Sequence, residues 1–337
     1  MTDLSQGRIL VTGGAGFIGS AIVWELNCRG IRNILISDFL GKDEKWKNLA
    51  PLQFADYCEA DDLLEHLAQL GDLSSIFHLG ACSSTTEADA AYLIRNNFEY
   101  SKRMATFALS RKIRFVYASS AATYGEAAAE VPESVDLSTL RPLNMYGYSK
   151  HLFDTWAERS GTLELLTGLK YFNVFGPNEY HKGEMRSVVH KAYGQIQASG
   201  SARLFKSYRP EYPDGGQCRD FLYVKDAVAA TLFLAEHVDG GGLFNLGSGQ
   251  PNTWSTLVTA IFNALGREPQ IEFVDMPDYL RPKYQYFTRA KIDKLRQYGF
   301  KQPFTPLADA VTDYVKNYLI PAHHLGDEQS SQRGQTA

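Results

Sequence analysis

The sequence has 337 residues, 44% of them apolar and 21% charged, with a formal net charge of −4. That size and balance describe a soluble globular chain of one large domain or two, with room for a sizeable core. The slightly acidic balance excludes a general affinity for nucleic acid or anionic membrane, and no apolar run approaches the ~18 residues a membrane span needs.

Met1 to Arg8 is short and polar, without the apolar core of a signal peptide. The next run, Ile9-Leu10-Val11, reads as a strand. Thr12-Gly13-Gly14-Ala15-Gly16-Phe17-Ile18-Gly19 follows as a turn, and Ala21 to Leu26 as a helix. Gly13, Gly16 and Gly19 form a Gly-x-x-Gly-x-x-Gly pattern. The first suits a turn at positive φ, the second lets backbone approach a pyrophosphate, and the third lets helix pack on strand. The helix start then offers free N–H groups and a positive dipole end to phosphate. A second apolar run, Ile34-Leu35-Ile36, ends at Asp38, 19 residues beyond Gly19, where an acid can reach a ribose hydroxyl. Strand, glycine turn, helix, strand and acid together predict a dinucleotide site. The polar run from Gly41 to Asp56 carries Lys42, Lys45 and Lys47. It is either a solvated loop or the place where a lysine meets a 2′-phosphate.

Ser75 to Ala81 reads as another buried strand ending in small residues. A helix is predicted from about Ala88 to Ser110, with Asn96 and Asn97 midway. Asparagine is a poor helix-interior residue, so these are either solvent-exposed or bonded to something at the strand ends. Ile113 to Ala118 is a fourth apolar run, followed by Ser119-Ser120, and ligands of open α/β sheets lie beyond such strand ends. Asn144 can cap the next helix, where Tyr146 and Lys150 stand at i and i+4 on one face. Tyr-x-x-x-Lys alone is common by chance. After a dinucleotide fold and a strand-end serine it has a chemistry. A phenol with pKa near ~10 is a poor base, and a nearby ammonium and a positive nicotinamide favour its ionised form. The serine hydroxyl can bond a substrate oxygen as it becomes a carbonyl.

Thr167 to Pro177 reads as a further strand with a Gly-Pro turn, after which the strand–helix alternation loosens. A helix is predicted over Met185 to Ala198, a short strand over Arg203 to Ser207 and a long loop over Tyr208 to Gly216. Helices follow over Ala227 to Ala235, from an Asn252-Thr253 cap through Leu265, and over Leu307 to Leu319, with a strand at Gly242 to Gly247. From Ala322 the composition is that of a disordered tail. Four scattered cysteines, Cys28, Cys58, Cys82 and Cys218, have neither zinc spacing nor a Cys-x-x-Cys pair, which predicts no metal site and a reducing, cytoplasmic setting.

The glycine loop, strand-end serine and Tyr-x-x-x-Lys together resemble the extended short-chain dehydrogenase/reductase superfamily of nucleotide-sugar enzymes, over about residues 8–320. Finer features are similar to its ADP-heptose 6-epimerase family: Gly80-Ala81-Cys82-Ser83-Ser84-Thr85-Thr86-Glu87, Tyr117 through Gly125, Asn144 through Lys150, and Tyr171 through Pro177 with His181-Lys182-Gly183. The resemblance implies an NADP-dependent inversion at C6″ of an ADP-linked heptose through a transient ketone, with NAD the less favoured cofactor. It implies Ser120, Tyr146, Lys150 and Lys182 as catalytic groups, the tyrosine and the loop lysine serving as bases for the two orientations. Cofactor contacts are expected from Gly13, Gly16, Phe17, Ile18, Gly19, Asp38, Phe39, Lys45, Leu79 through Ser83 (Leu79, Gly80, Ala81, Cys82, Ser83), Asn96, Tyr146, Lys150, Val174 and Lys182. Substrate contacts are expected from Ser120, Asn173, Glu184, Lys191, Phe205, Lys206, Ser207, Tyr208, Arg219 and Tyr284. Arg219 suits a diphosphate through its planar fork. Glu184 departs from the family pattern, since a carboxylate beside a diphosphate is unfavourable unless it faces away.

The expected architecture is a Rossmann-type doubly wound parallel α/β sheet over 1–176, rejoined by 220–250. A smaller mixed α/β C-terminal substrate lobe comprises 177–219 and 251–320, and 321–337 is the tail. A homo-oligomer, pentameric by resemblance, and a role in the heptose units of lipopolysaccharide complete the expectation. Among rivals, a 4,6-dehydratase lacks its Asp-Glu pair, because Ala121-Ala122 stand there. A non-catalytic NADP sensor would not need both Tyr146 and Lys150. A UDP-hexose 4-epimerase is the main alternative, as Ser120, Tyr146 and Lys150 would serve it equally.

Overall fold

The structure, a computed structural model, describes residues 2–127, 131–278, 280–281 and 284–327. The first half alternates strands and helices: β1 (Arg8–Thr12), α1 (Phe17–Cys28), β2 (Ile34–Asp38), β3 (Asp56–Glu59), α2 (Ala60–His66) and β4 (Leu73–His78). Then come α3 (Ala90–Leu93), α4 (Tyr100–Ser110), β5 (Arg114–Ser120), α5 (Met145–Arg159), β6 (Thr167–Tyr171) and β7 (Asn173–Phe175). The second half holds α6 (Val188–Ser199), β8 (Ala202–Phe205), β9 (Cys218–Tyr223), α7 (Val224–His237) and β10 (Gly242–Leu246). It closes with β11 (Pro251–Thr253), α8 (Trp254–Ala264), β12 (Ile271–Val274), α9 (Asp293–Gln297) and α10 (Leu307–Tyr314).

Seven strands form one sheet in the order β10-β6-β5-β4-β1-β2-β3, with every pairing parallel. Because both faces are covered, these strands read as continuous apolar runs. Alternate residues divide between two cores. Ile9, Val11, Ile36 and Phe77 pack on the side of α1 and α7, and Leu10, Leu35, Ile76 and Phe115 on the side of α4. The order reverses direction between β1 and β4, which opens the crevice where ligands of doubly wound sheets bind. This is the Rossmann-type sheet the glycine loop predicts.

Several elements differ from the sequence reading. The run 167–177 is two strands, because Phe172 turns away, its N–H bonding Leu246 O at 2.9 Å, and β7 joins β9 and β11 in a separate three-stranded sheet. The helix expected over 88–110 passes through a π-helical stretch at Ile94–Glu99. The helix expected from Met185 begins at Val188, after a 3₁₀ segment, Tyr180–Met185. β3, α2 and β12 were not foreseen, since they carry only two or three apolar side chains apiece. The expected disordered tail is corrected in its first part: residues 321–327 fold back on the domain, with Leu325 fully buried and its N–H bonded to Asn178 Oδ1 at 2.9 Å. Residues 328–337 lie outside the described residues.

Candidate active site

The glycine loop leaves β1 with Gly13 at φ +67°, and a Cβ there would lie 2.6 Å from Gly80 N. A Cβ on Gly19 would lie 2.1 Å from Gly13 O, so α1 can start this close to the loop only on glycine. Gly16 is the N-cap of α1 with no side-chain cap, which leaves the first-turn N–H groups of a half-charged helix end pointing out of the loop. Asp38 is buried at the end of β2. Its Oδ2 accepts from Ala15 N at 2.9 Å and Gly16 N at 3.1 Å, and its Oδ1 from Phe39 N at 2.7 Å and Lys45 Nζ at 3.2 Å. Asp38 therefore braces the loop as well as lying where a ribose is expected, and Lys45 brings a positive charge to that spot. Phe39 is exposed beside it.

At the end of β4, Leu79 N bonds Thr12 O at 3.0 Å and Gly80 N bonds Thr12 Oγ1 at 3.2 Å. His78 is buried between Thr12 Oγ1 at 2.7 Å and Ser101 Oγ at 2.9 Å, and burial drives its pKa down to about 3, so it stays neutral. Asn97, fully buried in the π-helical stretch, accepts from Cys82 N at 2.8 Å and donates to Cys82 O at 2.9 Å and Ser149 Oγ at 3.0 Å. That explains an asparagine inside a helix: Asn97 holds the 79–83 turn to α5. Asn96 lies beside it, bonding Asn97 Oδ1 at 3.1 Å.

Asn144 caps α5 by accepting from Gly147 N at 2.8 Å, which sets Tyr146 and Lys150 on the first two turns. The half-buried Tyr146 brings its hydroxyl near that of Ser120, the last residue of β5, whose Oγ accepts from Ala122 N at 3.1 Å. Burial raises its pKa, and the Ser120 hydroxyl opposes that rise. Lys150 Nζ donates to Ala118 O at 2.8 Å. Burial pulls its pKa down to about 8, with Asp154 acting in the opposite sense. Serine, tyrosine and lysine thus meet at the strand ends as the spacing predicts.

Beneath them lies a charged cluster that the sequence reading missed. Asp154 and Lys170 are fully buried and paired at 2.8 Å. Tyr117 OH and Ser119 Oγ donate to the same carboxylate at 2.9 and 2.7 Å, and Lys170 Nζ donates to Thr123 Oγ1 at 2.6 Å. Thr123 Oγ1 in turn donates to Ser120 O at 2.8 Å. The pair anchors the turn that aims Ser120. Its one visible signal is spacing, as Tyr146, Lys150 and Asp154 follow one another at intervals of four.

Lys182 approaches from another side. Its 3₁₀ segment brings Nζ to 5.0 Å from the centroid of Phe17, the first residue of α1. Burial lowers its pKa while Glu179 opposes the shift. Ser120 ends β5 and the glycine loop leaves β1, with β4 between them. The two candidate bases therefore stand at separate strand ends.

Arg219 is buried between Trp254 and Tyr284, its guanidinium carbon 5.5 and 5.1 Å from their ring centroids. It bonds the backbone carbonyls of Cys218 and Gln285. Trp254 Nε1 donates to Tyr284 OH at 2.9 Å, and Phe205 packs edge-on to Tyr284. Next to Arg219, the buried Asp220 takes N–H groups from Ser248, Gly249 and Ala290 at 2.6, 2.9 and 2.9 Å, which fixes β9 in place. Ser207 and Tyr208 continue from β8 in an exposed turn. There Ser207 N bonds Asp214 Oδ1 at 2.7 Å, Lys206 pairs with Asp275 at 3.2 Å, and Arg281 covers the Tyr208 ring at 3.8 Å. Asn173 is exposed at the start of β7, with Val174 half-buried after it. Glu184 faces away, its side chain 96% exposed and paired with Lys191 at 3.3 Å, so the two expected substrate contacts bind each other.

Residues 9–247 match the NAD dependent epimerase/dehydratase family. An ADP-L-glycero-D-manno-heptose-6-epimerase of Nitratidesulfovibrio vulgaris (strain DP4) is 51% identical over 317 residues, covering 93% of this chain and 98% of that protein. The crystal structure of Helicobacter pylori ADP-L-glycero-D-manno-heptose-6-epimerase aligns with a TM-score of 0.80 at 26% identity, covering 93% of this chain and 96% of that one. A UDP-N-acetylglucosamine 4-epimerase from Methanobrevibacter ruminantium M1, solved with UDP-N-acetylmuramic acid, aligns with the same TM-score of 0.80 at 26% identity, covering 96% and 100%. Backbone shape is equally close to a 6-epimerase and a 4-epimerase, so side chains must decide between them.

Proposed function

The chain belongs to the NAD dependent epimerase/dehydratase family, and from that premise we propose that it inverts C6″ of an ADP-linked heptose. It interconverts ADP-D-glycero-D-manno-heptose and ADP-L-glycero-D-manno-heptose through a 6″-ketone. Its cofactor is a nicotinamide dinucleotide. The cradle of Gly13, Gly16 and Gly19, which a Cβ would fill, fits the pyrophosphate, and the open N–H groups of α1 suit its charge. Reversible hydride acceptance is the chemistry that cofactor supplies when bound.

The protein's own residues handle protons and orientation. Tyr146 takes the hydroxyl proton of one epimer, and Ser120, whose hydroxyl lies beside it, steadies the oxygen as it becomes a carbonyl. Lys150, charged below a pH of about 8, favours the ionised phenol. Lys182 handles the proton of the other epimer from the glycine-loop side, and burial lowers its pKa toward the range of a useful base. Arg219 is a buried cation bonded only to backbone carbonyls among the contacts described, which suits the diphosphate. NADP over NAD rests on Lys45, whose Nζ lies 3.2 Å from Asp38 Oδ1 and offsets the acid that would repel a 2′-phosphate.

The observation that carries this reading over a UDP-hexose 4-epimerase is Lys182 stacked on Phe17, a second candidate base on a strand end other than that of Tyr146. The test is proton NMR of the protein with ADP-D-glycero-β-D-manno-heptose and, separately, UDP-glucose. Two C6″ epimers from the first and no change in the second are expected. UDP-galactose from UDP-glucose, with the heptose untouched, would overturn the assignment.

A further inference from the structure

The loop bearing Lys182 is held by parts of the chain distant from it in sequence. Asn178 is fully buried at φ +75°, a left-handed conformation that residues other than glycine seldom adopt. Its Nδ2 donates to Ser20 Oγ of α1 at 2.9 Å, its Oδ1 accepts from Leu325 N at 2.9 Å, and its carbonyl accepts from Asn48 Nδ2 at 3.0 Å. Asn48 Nδ2 also lies 2.9 Å from Ala15 O in the glycine loop and 3.2 Å from His181 Nδ1. Two residues on, Tyr180 OH lies 2.9 Å from Tyr318 O and 3.1 Å from His323 O, and its ring packs 4.9 Å from that of His324. Gly326, at φ +100°, has Pro51 Cβ only 3.1 Å from where its own Cβ would stand, so the C-terminal segment closes on the stretch that follows Asn48.

We infer that the C-terminal segment 318–327, acting through Asn178 and Tyr180, is a positioning element that fixes Lys182 over the start of α1. The inference rests on Lys182 being the second base. Physically, Lys182 sits on one turn of 3₁₀ helix next to Gly183 at φ +52°, with little local structure to hold it. On the far side the loop is tied by Glu179 Oε1, which accepts from Ser187 Oγ at 2.6 Å. On the near side the Asn178 side chain bonds α1 and Leu325, its carbonyl takes Asn48, and Tyr180 bonds the C-terminal segment while its ring meets His190 edge-on. Releasing those contacts frees the lysine by the ångström or so that costs about a hundredfold when a proton-transfer group is misplaced.

The test is a double-mutant cycle in the full-length holoenzyme. Asn178→Gly keeps the positive φ and removes both side-chain bonds. Asn178→Asp keeps an acceptor for Leu325 N–H, and Tyr180→Phe removes the second tie while keeping the ring. Asn178→Gly is expected to lower kcat about tenfold or more, with KM for the ADP-heptose within about twofold. Tyr180→Phe acts in the same direction, Asn178→Asp restores most of the loss, and Asn178→Gly adds nothing in a Lys182→Ala background. Multiplicative losses in a slow Lys182→Ala enzyme, or full kcat in Asn178→Gly, would overturn the positioning role alone. An unchanged kcat in Lys182→Ala itself would overturn the second-base reading and this role with it.

Discussion

Asp154→Asn probes the pair beneath the reacting groups. The substitution leaves Lys170 charged and fully buried, and turns a donor toward the Nζ and Ser119 Oγ that Oδ2 accepts at 2.8 and 2.7 Å. Breaking one side of a buried pair costs about 3–5 kcal/mol because the other charge is left uncompensated. At this chain length roughly 2 °C of melting temperature corresponds to each kcal/mol, so the midpoint should fall by about 6–10 °C. Adding Lys170→Met removes the stranded charge and should recover all but about 1–2 kcal/mol. Activity should separate from stability. Asp154 holds the Lys150 pKa up against burial, which sets it at about 8. Without that carboxylate Lys150 loses its proton at lower pH, so the alkaline limb of kcat should move down in both variants, including the one whose stability returns. The assay is thermal unfolding by circular dichroism at fixed protein concentration, together with a pH–rate profile. A single variant within about 1 kcal/mol of the parent, or a double variant no more stable than the single, would refute the reasoning.

Lys45→Ala removes the charge that offsets Asp38, so affinity should shift from NADP toward NAD, as read by cofactor titration of stripped protein. His78 gives the acid side its slope. Its pKa is about 3 in the fold against 6.5 unfolded, so the unfolded chain binds the extra proton between those values. Its contribution is complete above pH 6.5 and falls by about 1.4 kcal/mol per pH unit below it. His181, lowered to about 4 by burial and then by the charge of Lys45, steepens the same loss. Urea midpoints measured from pH 7 to pH 4 should fall, and His78→Gln should flatten the curve.

The local code carried the nucleotide half of the molecule. Glycine spacing, strand runs and Asn144 stand in fixed relation to what they bond, so Gly13, Gly19, Ser120, Tyr146 and Lys150 were legible in the sequence. What stayed hidden depends on contacts between distant segments. Asn97 was visible as an oddity inside a helix, but its partner Cys82 is known only once α5 packs there. Asp154 and Lys170 look like surface charges until β6 and α5 close on them. Asn48 carries no signal at all, and a polar C-terminus reads as disorder although Leu325 finds Asn178. Asp38 ends β2 as the second apolar run predicts, yet its carboxylate also binds the loop's own N–H groups, which no residue count foretells.

The central claim, inversion by oxidation and re-reduction at one carbon, is tested most directly by running the conversion of ADP-D-glycero-β-D-manno-heptose in D₂O, without added cofactor, and examining C6″ by NMR and mass spectrometry. Removal and return of the same hydride predicts a mixture of both epimers with no deuterium on C6″. Deuterium at that carbon would mean inversion through loss of a C–H proton, and no conversion would remove the ADP-heptose assignment altogether.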